Sequence, residues 1–300
     1  MRQLFYKIIY SAQINPILLA INRALRSALG IGVTLPPSGK ITVRPEGIKP
    51  FVLHTNQSNY VTHLLFWKGY RNFEYSSIFI DLMKSVDVFF DVGANIGYYA
   101  LLGASANPKA RITAFEPSSG PLHYLKKNTE ANRPSLIRVA PMALAARSEK
   151  LRFFENKNTK YTYLRHNLAG EGNSGSKTSA SAFRETTVDG ITLGDYLKAF
   201  PTDKLDLIKI DTEGNEHHIL GSAIETLEIY RPIIICETLY NSNEAELEQL
   251  FKGLNYLMFR HVNSGLQETQ SLARKNDDGI RNCFFVPSEK RSLIAAYEVN

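Results

Sequence analysis

The sequence predicts an α/β protein built on a doubly wound, mostly parallel sheet. From Val86 onward, short apolar runs alternate with segments whose apolar residues recur at helical spacing. Such alternation is typical of parallel strands joined by crossover helices. The 300 residues are 44% hydrophobic and 21% charged, which is ordinary for a folded chain with a sizeable core.

Seven strands and five helices are expected from Val86 to the end of the chain. The predicted strands are 86–91, 111–115, 137–140, 205–211, 233–237, 256–261 and 283–286. The predicted helices are 98–106, 121–131, 216–220, 223–229 and 244–253. The last two strands suit an antiparallel addition to a parallel sheet. Residues 156–177, rich in Asn, Thr, Gly, Ser and Lys, are expected to leave the domain as a polar surface excursion.

Two further regions precede the domain at 86–300. Residues 1–35 are expected to form an amphipathic helical segment, broken at Pro16. Its predicted apolar face consists of Ile17, Leu18, Ile21, Leu25 and Leu29. Such a helix packs on its own domain or lies on a membrane surface, and both explanations stay open. Residues 36–85, with strand patterns at 40–44 and 51–53 and a helical pattern at 76–84, are expected to cover the glycine loop described below as an N-terminal cap.

Net charge and cysteine content indicate which partners and which cellular compartment the sequence favours. A net charge of +6 indicates either simple solubility or a preference for anionic partners. Cys236 and Cys283 lie inside apolar runs, which favours buried free thiols in a reducing compartment. No secretory signal or membrane-spanning run is evident. We therefore expect a cytoplasmic protein, with the N-terminus as a candidate peripheral membrane contact.

A glycine loop after a strand-ending acid is the strongest local signal. Asp91 ends an apolar strand, and Gly93 and Gly97 lead into the next helix. Asn95 stands where a dinucleotide fingerprint requires glycine, and no P-loop motif occurs, so NAD-dependent oxidoreductases and P-loop enzymes are disfavoured. Glu116 ends the following strand, where an acid can accept hydrogen bonds from both ribose hydroxyls. Together these residues predict a site for an adenosine-containing cofactor.

An acidic motif at the end of the fourth strand adds a candidate reaction centre. K-I-D-x-E-G-x-E spans Lys209 to Glu216 and lies at the sheet edge where open α/β sheets bind ligands. With D-V-G-A-N-I-G at 91–97 and F-E-P at 115–117, it resembles the FkbM family of methyltransferases over about residues 59–287. The resemblance implies the seven-stranded, Rossmann-like class I methyltransferase fold and S-adenosylmethionine as methyl donor. It also implies O-methylation of a sugar, glycan or secondary metabolite, as in polysaccharide biosynthesis.

The expected site residues follow from these motifs and from the resemblance. The residues predicted to hold the cofactor are Asp91, Gly93, Asn95, Gly97, Glu116 and Ala143. Asp211 is the first candidate for the general base that accepts the hydroxyl proton, or for a metal ligand. Glu213 and Glu237 support it as catalytic candidates, and Glu213 is also a candidate ligand. Oxygen ligands of this kind suit Mg²⁺, and the metal question stays open.

Weaker candidates surround this set. Glu216 is either a supporting carboxylate or an acid facing a helix N-terminus. His217 and His218 are adjacent on a helix and are not expected to ligate one ion together, although one of them is a candidate to approach the site. His261 is a candidate base by residue type. Tyr60 and Thr62 are candidates for cofactor or substrate contact on the resemblance alone.

Several classes of function compete for this sequence. A small-molecule or glycan acceptor is expected, with a nucleic-acid methyltransferase as the rival. Amino-directed methyltransferases often carry N/D-P-P-Y/F after the fourth strand, whereas this chain has acids at Asp211 and Glu213, which would repel a phosphate backbone. We therefore expect no nucleic-acid partner. A non-catalytic cofactor-binding protein is the third possibility, and the sequence predicts no oligomeric state.

Overall fold

The computed structural model describes residues 1–30, 32–133, 136–156, 159–168, 183–212 and 214–299. Its helices are α1 (Arg2–Ile9), α2 (Asn15–Leu29), α3 (Tyr60–Lys68), α4 (Ser76–Met83), α5 (Tyr98–Ala106), α6 (Ser119–Asn132), α7 (Leu193–Ala199), α8 (Glu216–Gly221), α9 (Ile224–Tyr230) and α10 (Glu244–Gly253). Its strands are β1 (Gly39–Val43), β2 (Phe51–Thr55), β3 (Val88–Val92), β4 (Arg111–Phe115), β5 (Ile137–Ala140), β6 (Ala143–Leu144), β7 (Lys150–Asn156), β8 (Phe183–Ile191), β9 (Leu207–Ile210), β10 (Ile233–Glu237), β11 (Tyr256–Val262), β12 (Gly265–Glu268), β13 (Asn282–Pro287) and β14 (Glu298–Val299).

The main sheet confirms the predicted α/β class. Its strand order is β14-β12-β11-β13-β10-β9-β3-β4-β5, and the five strands β5, β4, β3, β9 and β10 are parallel. β13 then pairs antiparallel with β10 and with β11, as expected for the late strands. Neighbouring residues of β3 enter different apolar cores, Phe89 on one face of the sheet and Phe90 on the other. Burial on both faces is why the central strands are continuous apolar runs.

The sheet has nine strands, so the predicted number of seven is wrong. The additions are β12, which pairs antiparallel with β11, and β14, which pairs parallel with β12. Gly265 begins β12 with φ +150°, and a side chain there would collide with the carbonyl oxygen of Tyr297. These strands are short and polar, so they carry no apolar run by which a sequence pattern reveals a strand.

A long hairpin flanks the predicted polar excursion. β7 and β8 pair antiparallel from Lys150–Asp189 to Asn156–Phe183, and β6 extends them to three strands. Of the excursion predicted at 156–177, residues 157–158 and 169–177 lie outside the described residues. In the described part, Tyr161 and Leu168 are buried and Lys160 and Arg165 are exposed, so residues 159–168 pack along the surface of the protein.

The segment that precedes the sheet is fastened to it through α6. Asn132 bonds both the backbone N–H and the carbonyl of Val52, and Asn128 does the same for His54. The two amides therefore act as a neighbouring strand for β2 and hold the β1–β2 hairpin in place. Among the described helices, none has both the length and the apolar character needed to cross a bilayer.

Candidate active site

A cavity of about 420 Å³ opens at the carboxyl ends of β3, β4, β5 and β9. Loops 93–96, 116–117, 142–147 and 209–212 each contribute to its wall. Phe115, Met142, Leu144 and Ile219 provide apolar surface, and a few polar groups converge among them. This combination suits a ligand with a flat apolar base and a polar sugar.

The glycine loop after β3 forms the floor of the cavity. Gly93 has φ +73°, and a β-carbon there would collide with the carbonyl oxygen of Asp211, so the backbones of the two loops lie in close contact. Asn95 has φ +51°, a left-handed conformation that asparagine tolerates. Its side-chain oxygen accepts the Ile96 N–H at 2.9 Å and the Asn59 amide at 3.2 Å. Gly93 and Asn95, which were both predicted to hold the cofactor, border the cavity.

Asp91 and Gly97 support this loop from beneath and do not border the cavity. Asp91 is 1% exposed, and its Oδ2 accepts the Ala100 N–H at 3.0 Å in the first turn of α5. Gly97 precedes α5 with φ +89°, and a β-carbon there would lie 2.6 Å from Leu125 Cδ1. The structure therefore gives both predicted cofactor residues a supporting position.

Glu116 borders the cavity with a carboxylate held by backbone groups. Oε2 accepts the Asn95 N–H at 2.8 Å, and Oε1 accepts the Ser118 N–H at 2.9 Å. Burial raises the pKa of Glu116 to about 7, although these two hydrogen bonds oppose the rise. Because each carboxylate oxygen has a second lone pair, further hydroxyl donors can bind it.

Lys209 is the electrostatic centre beneath the cavity. Its buried ammonium lies 3.4 Å from Asp211 Oδ2, 3.7 Å from Asp91 Oδ1 and 3.2 Å from the Gly93 carbonyl oxygen. Burial alone would lower the pKa of Lys209, but the carboxylates of Asp211 and Asp91 raise it above its usual value. The cation thus joins the glycine loop to the end of β9, and Asp211 borders the cavity beside it.

Glu74 is a site residue that the sequence analysis missed. It borders the cavity, and its Oε2 accepts the Tyr99 hydroxyl at 2.7 Å. Burial raises the pKa of this carboxyl group, the Tyr99 hydrogen bond lowers it, and the charge of Asp211 raises it further. Glu74 belongs to no motif. Its only signal is an acidic residue among the aromatics of a segment expected to cover the glycine loop.

The other predicted carboxylates have different positions. Glu213 lies outside the described residues. Glu237 does not border the cavity, and its backbone pairs with Asn282 at the end of β10. Glu216 is fully buried: its Oε1 accepts the backbone N–H and hydroxyl of Thr212 at 2.6 and 3.0 Å, and Asn243 donates to its Oε2 at 2.8 Å. Glu216 therefore fixes the loop after β9.

The histidine candidates also differ in whether they border the cavity. His218 borders the cavity. The ring of His217 packs against the ring of His218, with 3.8 Å between the two centroids. His261 instead packs edge-on against Tyr75, and burial lowers its pKa. Within the described ranges, no group of three or more His, Cys, Asp or Glu residues is placed to hold a metal ion.

Tyr60 and Thr62, the candidates for cofactor or substrate contact, do not border the cavity. Tyr60 is 70% exposed, and the Thr62 hydroxyl is bonded to the hydroxyl of Thr55 at 2.7 Å. Val61, between them, borders the cavity, because successive helix residues face different directions. Ala143 lies in the cavity wall beside Met142, the position expected for a contact with adenine.

Comparison with known proteins gives one family match and several similar proteins. Residues 91–262 match the model of the methyltransferase FkbM domain. The chain is 36% identical over 105 residues to the AMB antimetabolite synthetase AmbE of Pseudomonas aeruginosa. The aligned residues make up 32% of this chain and 4% of that protein.

The solved structures that are similar to this chain include two methyltransferases. Methyltransferase FkbM from Methylobacillus flagellatus KT has a TM-score of 0.41 and 16% identity, covering 67% of this chain and 43% of that one. The precorrin-6y C5,15-methyltransferase from Geobacter metallireducens GS-15 has a TM-score of 0.42 and 10% identity, covering 71% of this chain and 87% of that one. The chain thus spans less than half the length of AmbE and of the Methylobacillus protein.

Proposed function

The chain belongs to the FkbM family of S-adenosylmethionine-dependent methyltransferases, and we propose that it methylates a hydroxyl group of a sugar, a glycan or glycolipid, or a secondary metabolite. The observation that carries the proposal is the grouping of two carboxylates, Glu74 and Asp211, in the wall that also contains the glycine loop and Glu116. Carboxylates accept hydrogen bonds from hydroxyl groups and remove their protons.

The residues of the glycine loop and the next two strand ends fit the methyl donor. When bound, S-adenosylmethionine supplies a methyl group on a positively charged sulfur, and an attacking oxygen displaces that sulfur in line. Glu116 would accept hydrogen bonds from the ribose hydroxyls, and Ala143 with its apolar neighbours would pack on the adenine. The bare backbone at Gly93 would leave room for the methionine end.

Asp211 is the proposed general base. Its carboxylate lies at the end of β9 beside Lys209 and borders the cavity, so it can reach an acceptor that lies over the glycine loop. Glu74 is the competing base, because a carboxyl group with a raised pKa is the better proton acceptor near neutral pH. One of the two would remove the proton, and the other would orient the acceptor.

The charge of the cavity wall supports an acceptor whose methylated region is hydroxylated and uncharged, and it argues against nucleic acid. The described residues that border the cavity include four acids, Glu74, Glu116, Glu149 and Asp211. They are accompanied by two permanent cations, Arg147 and Lys209. An excess of carboxylates would repel a phosphate backbone at the point of reaction.

The described donors do not fit a Mg²⁺ site. The ammonium of Lys209 already lies 3.4 Å from Asp211, and no third acid of the described part completes an ion site with it. Mg²⁺ prefers several oxygen ligands in near-octahedral arrangement. We therefore derive no step through a metal, and we propose that Lys209 provides the positive charge beside Asp211.

A transfer assay with isotopically labelled S-adenosylmethionine tests the proposal. The purified chain is incubated with nucleotide sugars, oligosaccharides, glycolipids, RNA and DNA, each with Mg²⁺ or with a chelator. We expect alkali-stable label on a carbohydrate, lost in Asp211→Asn or in Glu74→Gln and insensitive to the chelator. Label on nucleic acid would contradict the acceptor assignment. Cofactor binding without transfer to any acceptor class would favour a non-catalytic protein.

A further inference from the structure

Helix α2 is attached to the protein mainly through polar side chains. Asn15 is fully buried, where its amide donates to the carbonyl oxygens of Ile9 and Pro36 and accepts the Ser38 N–H at 2.7 Å. About two turns further on, Asn22 accepts the Leu35 N–H at 2.9 Å. The side of α2 that faces the protein therefore carries two amides beside one buried leucine, Leu19, whereas an ordinary surface helix buries its apolar stripe.

The opposite side of this segment is apolar and exposed. The exposed apolar residues of α1, of α2 and of the turn between them are Leu4, Phe5, Ile8, Ile14, Ile17, Ile21, Leu25 and Leu29. Within 5–8 and within 14–29 they recur at intervals of three or four, so each helix has one continuous apolar face, and the two runs are separated by the turn between the helices. Ile17 is 62% exposed and Ile21 is 51% exposed. Apolar faces of this extent on a folded protein mark a contact with a partner or a membrane.

The net positive charge of the chain comes from the same region. Six of the 35 lysine and arginine residues lie in the first 45 positions, where there is no acid. The remaining 29 equal the number of aspartate and glutamate residues in the whole chain, so the entire net charge of +6 arises from this region. An apolar helix face bordered by cations and free of anions is complementary to the surface of an anionic bilayer.

We propose that α1 and α2 dock the protein on an anionic membrane surface. The apolar faces would enter the boundary between headgroups and acyl chains, and Arg2 and Lys7 would contact lipid phosphates. The helices would lie in the plane of the interface. The proposal concerns binding and does not depend on the acceptor or on methyl transfer.

Charge favours a membrane over a second copy of this chain. Two copies joined through this face would bring together two segments that carry only positive charge, which costs binding energy. An anionic bilayer instead gains from each cation near its surface. Membrane binding should therefore require anionic lipid and weaken as salt is added.

Vesicle flotation of the full chain tests the proposal. Wild-type protein is expected to float with vesicles of phosphatidylcholine and phosphatidylglycerol and to stay behind with phosphatidylcholine alone. Replacing Ile17 and Ile21 by serine should weaken binding on the order of a hundredfold, because two isoleucine side chains lose their burial in lipid. Lys7→Glu should weaken it about fivefold or more, since each cation near the surface adds to binding. Ile229→Ser is the matched control, because that isoleucine on α9 is 73% exposed and lies outside the face.

Folding and oligomeric state separate the possible outcomes. The substituted side chains are exposed, so the variants should keep the wild-type melting temperature and affinity for S-adenosylmethionine. Failure of wild-type protein to float with anionic vesicles, or equal flotation of the double isoleucine variant, would overturn the proposal. So would a lipid-free dimer that the double variant dissociates, because the face would then be an interface between copies.

Discussion

Acidification should weaken S-adenosylmethionine binding through one carboxylate, Glu116. Burial raises the pKa of this group to about 7, and the N–H groups of Ser118 and Asn95 limit the rise. Only the ionised carboxylate can accept two ribose hydroxyls while both of its oxygens keep their backbone donors. Because binding needs the ionised form, affinity is full above the pKa and falls as the pH drops through it.

The expected size follows from the position of the pKa. One pH unit below it, about one carboxylate in ten is ionised, so the dissociation constant should rise about tenfold between about pH 8 and about pH 6. Glu116→Ala should bind at least about tenfold more weakly at the higher pH, because hydrogen bonds to a charged group are lost. The variant should also lose most of the pH dependence.

Titration calorimetry of both proteins over this pH range checks the prediction. S-adenosylmethionine has ionisable groups of its own, but they contribute equally to the two profiles and cancel in the ratio of dissociation constants. A ratio that stays constant with pH would refute the role of Glu116 ionisation. Unchanged affinity in the variant at every pH would refute the ribose contact itself.

Three further substitutions probe the site. Lys209→Met should lower the free energy of unfolding in urea by about 3–5 kcal/mol, because it leaves a buried carboxylate without its cation. Gly93→Ala should abolish cofactor binding in calorimetry, since its β-carbon collides with the backbone of the loop after β9. Asp211→Asn should leave cofactor affinity near wild type and reduce the methylation rate by about a hundredfold or more in a labelled-methyl assay.

The substitutions of Lys209 and Gly93 have matched controls within the chain, and Asp211→Asn is compared with Glu74→Gln. Lys204→Met removes an exposed lysine paired with Asp87 and should leave stability near wild type. Gly194→Ala places a β-carbon in open space and should bind the cofactor normally. If Asp211→Asn keeps its rate while Glu74→Gln loses it, the general base is Glu74. If lysine substitution is equally harmless at 204 and 209, the buried ion pair is not a stabilising contact.

The regular part of the fold was predictable from local patterns. Strands Arg111–Phe115, Ile137–Ala140 and Ile233–Glu237 and helices Tyr98–Ala106 and Glu244–Gly253 have the predicted bounds. Continuous apolar runs and helical spacing are properties of single segments, so they can be recognised without knowing the tertiary structure. The β7–β8 hairpin and the edge strands β12 and β14 could not be found this way. None of them carries a continuous apolar run, and the pairings of β7 with β8 and of β12 with β14 join residues about 30 positions apart.

The site was only partly predictable, for a similar reason. The motifs identified Gly93, Asn95 and Glu116, which border the cavity, but a motif does not say in which direction a strand-end acid points. Asp91 points beneath the loop, where its Oδ1 lies 3.7 Å from the Lys209 ammonium. Glu74 enters the site because the segment before β3 folds over the loop. That cover was expected, but no local pattern indicated which of its side chains faces the cavity.

The N-terminal helices show the limit of an amphipathic pattern. The spacing of Ile17, Ile21 and Leu25 predicts a shared face, and the structure confirms that these residues are aligned and exposed. Periodicity alone cannot say whether such a face is buried. The decisive information is the burial of Asn15, which turns the polar side of α2 toward the protein.

Identification of the methylated atom tests the central claim most directly. The carbohydrate product of a reaction with S-adenosylmethionine carrying an isotopically labelled methyl group can be examined by nuclear magnetic resonance. The arrangement of Glu74, Asp211 and the cofactor loop predicts a methyl carbon bonded to a former hydroxyl oxygen, with no such product from Asp211→Asn together with Glu74→Gln. A labelled methyl group on a nitrogen of a nucleobase, or an unchanged yield from that double variant, would contradict the account.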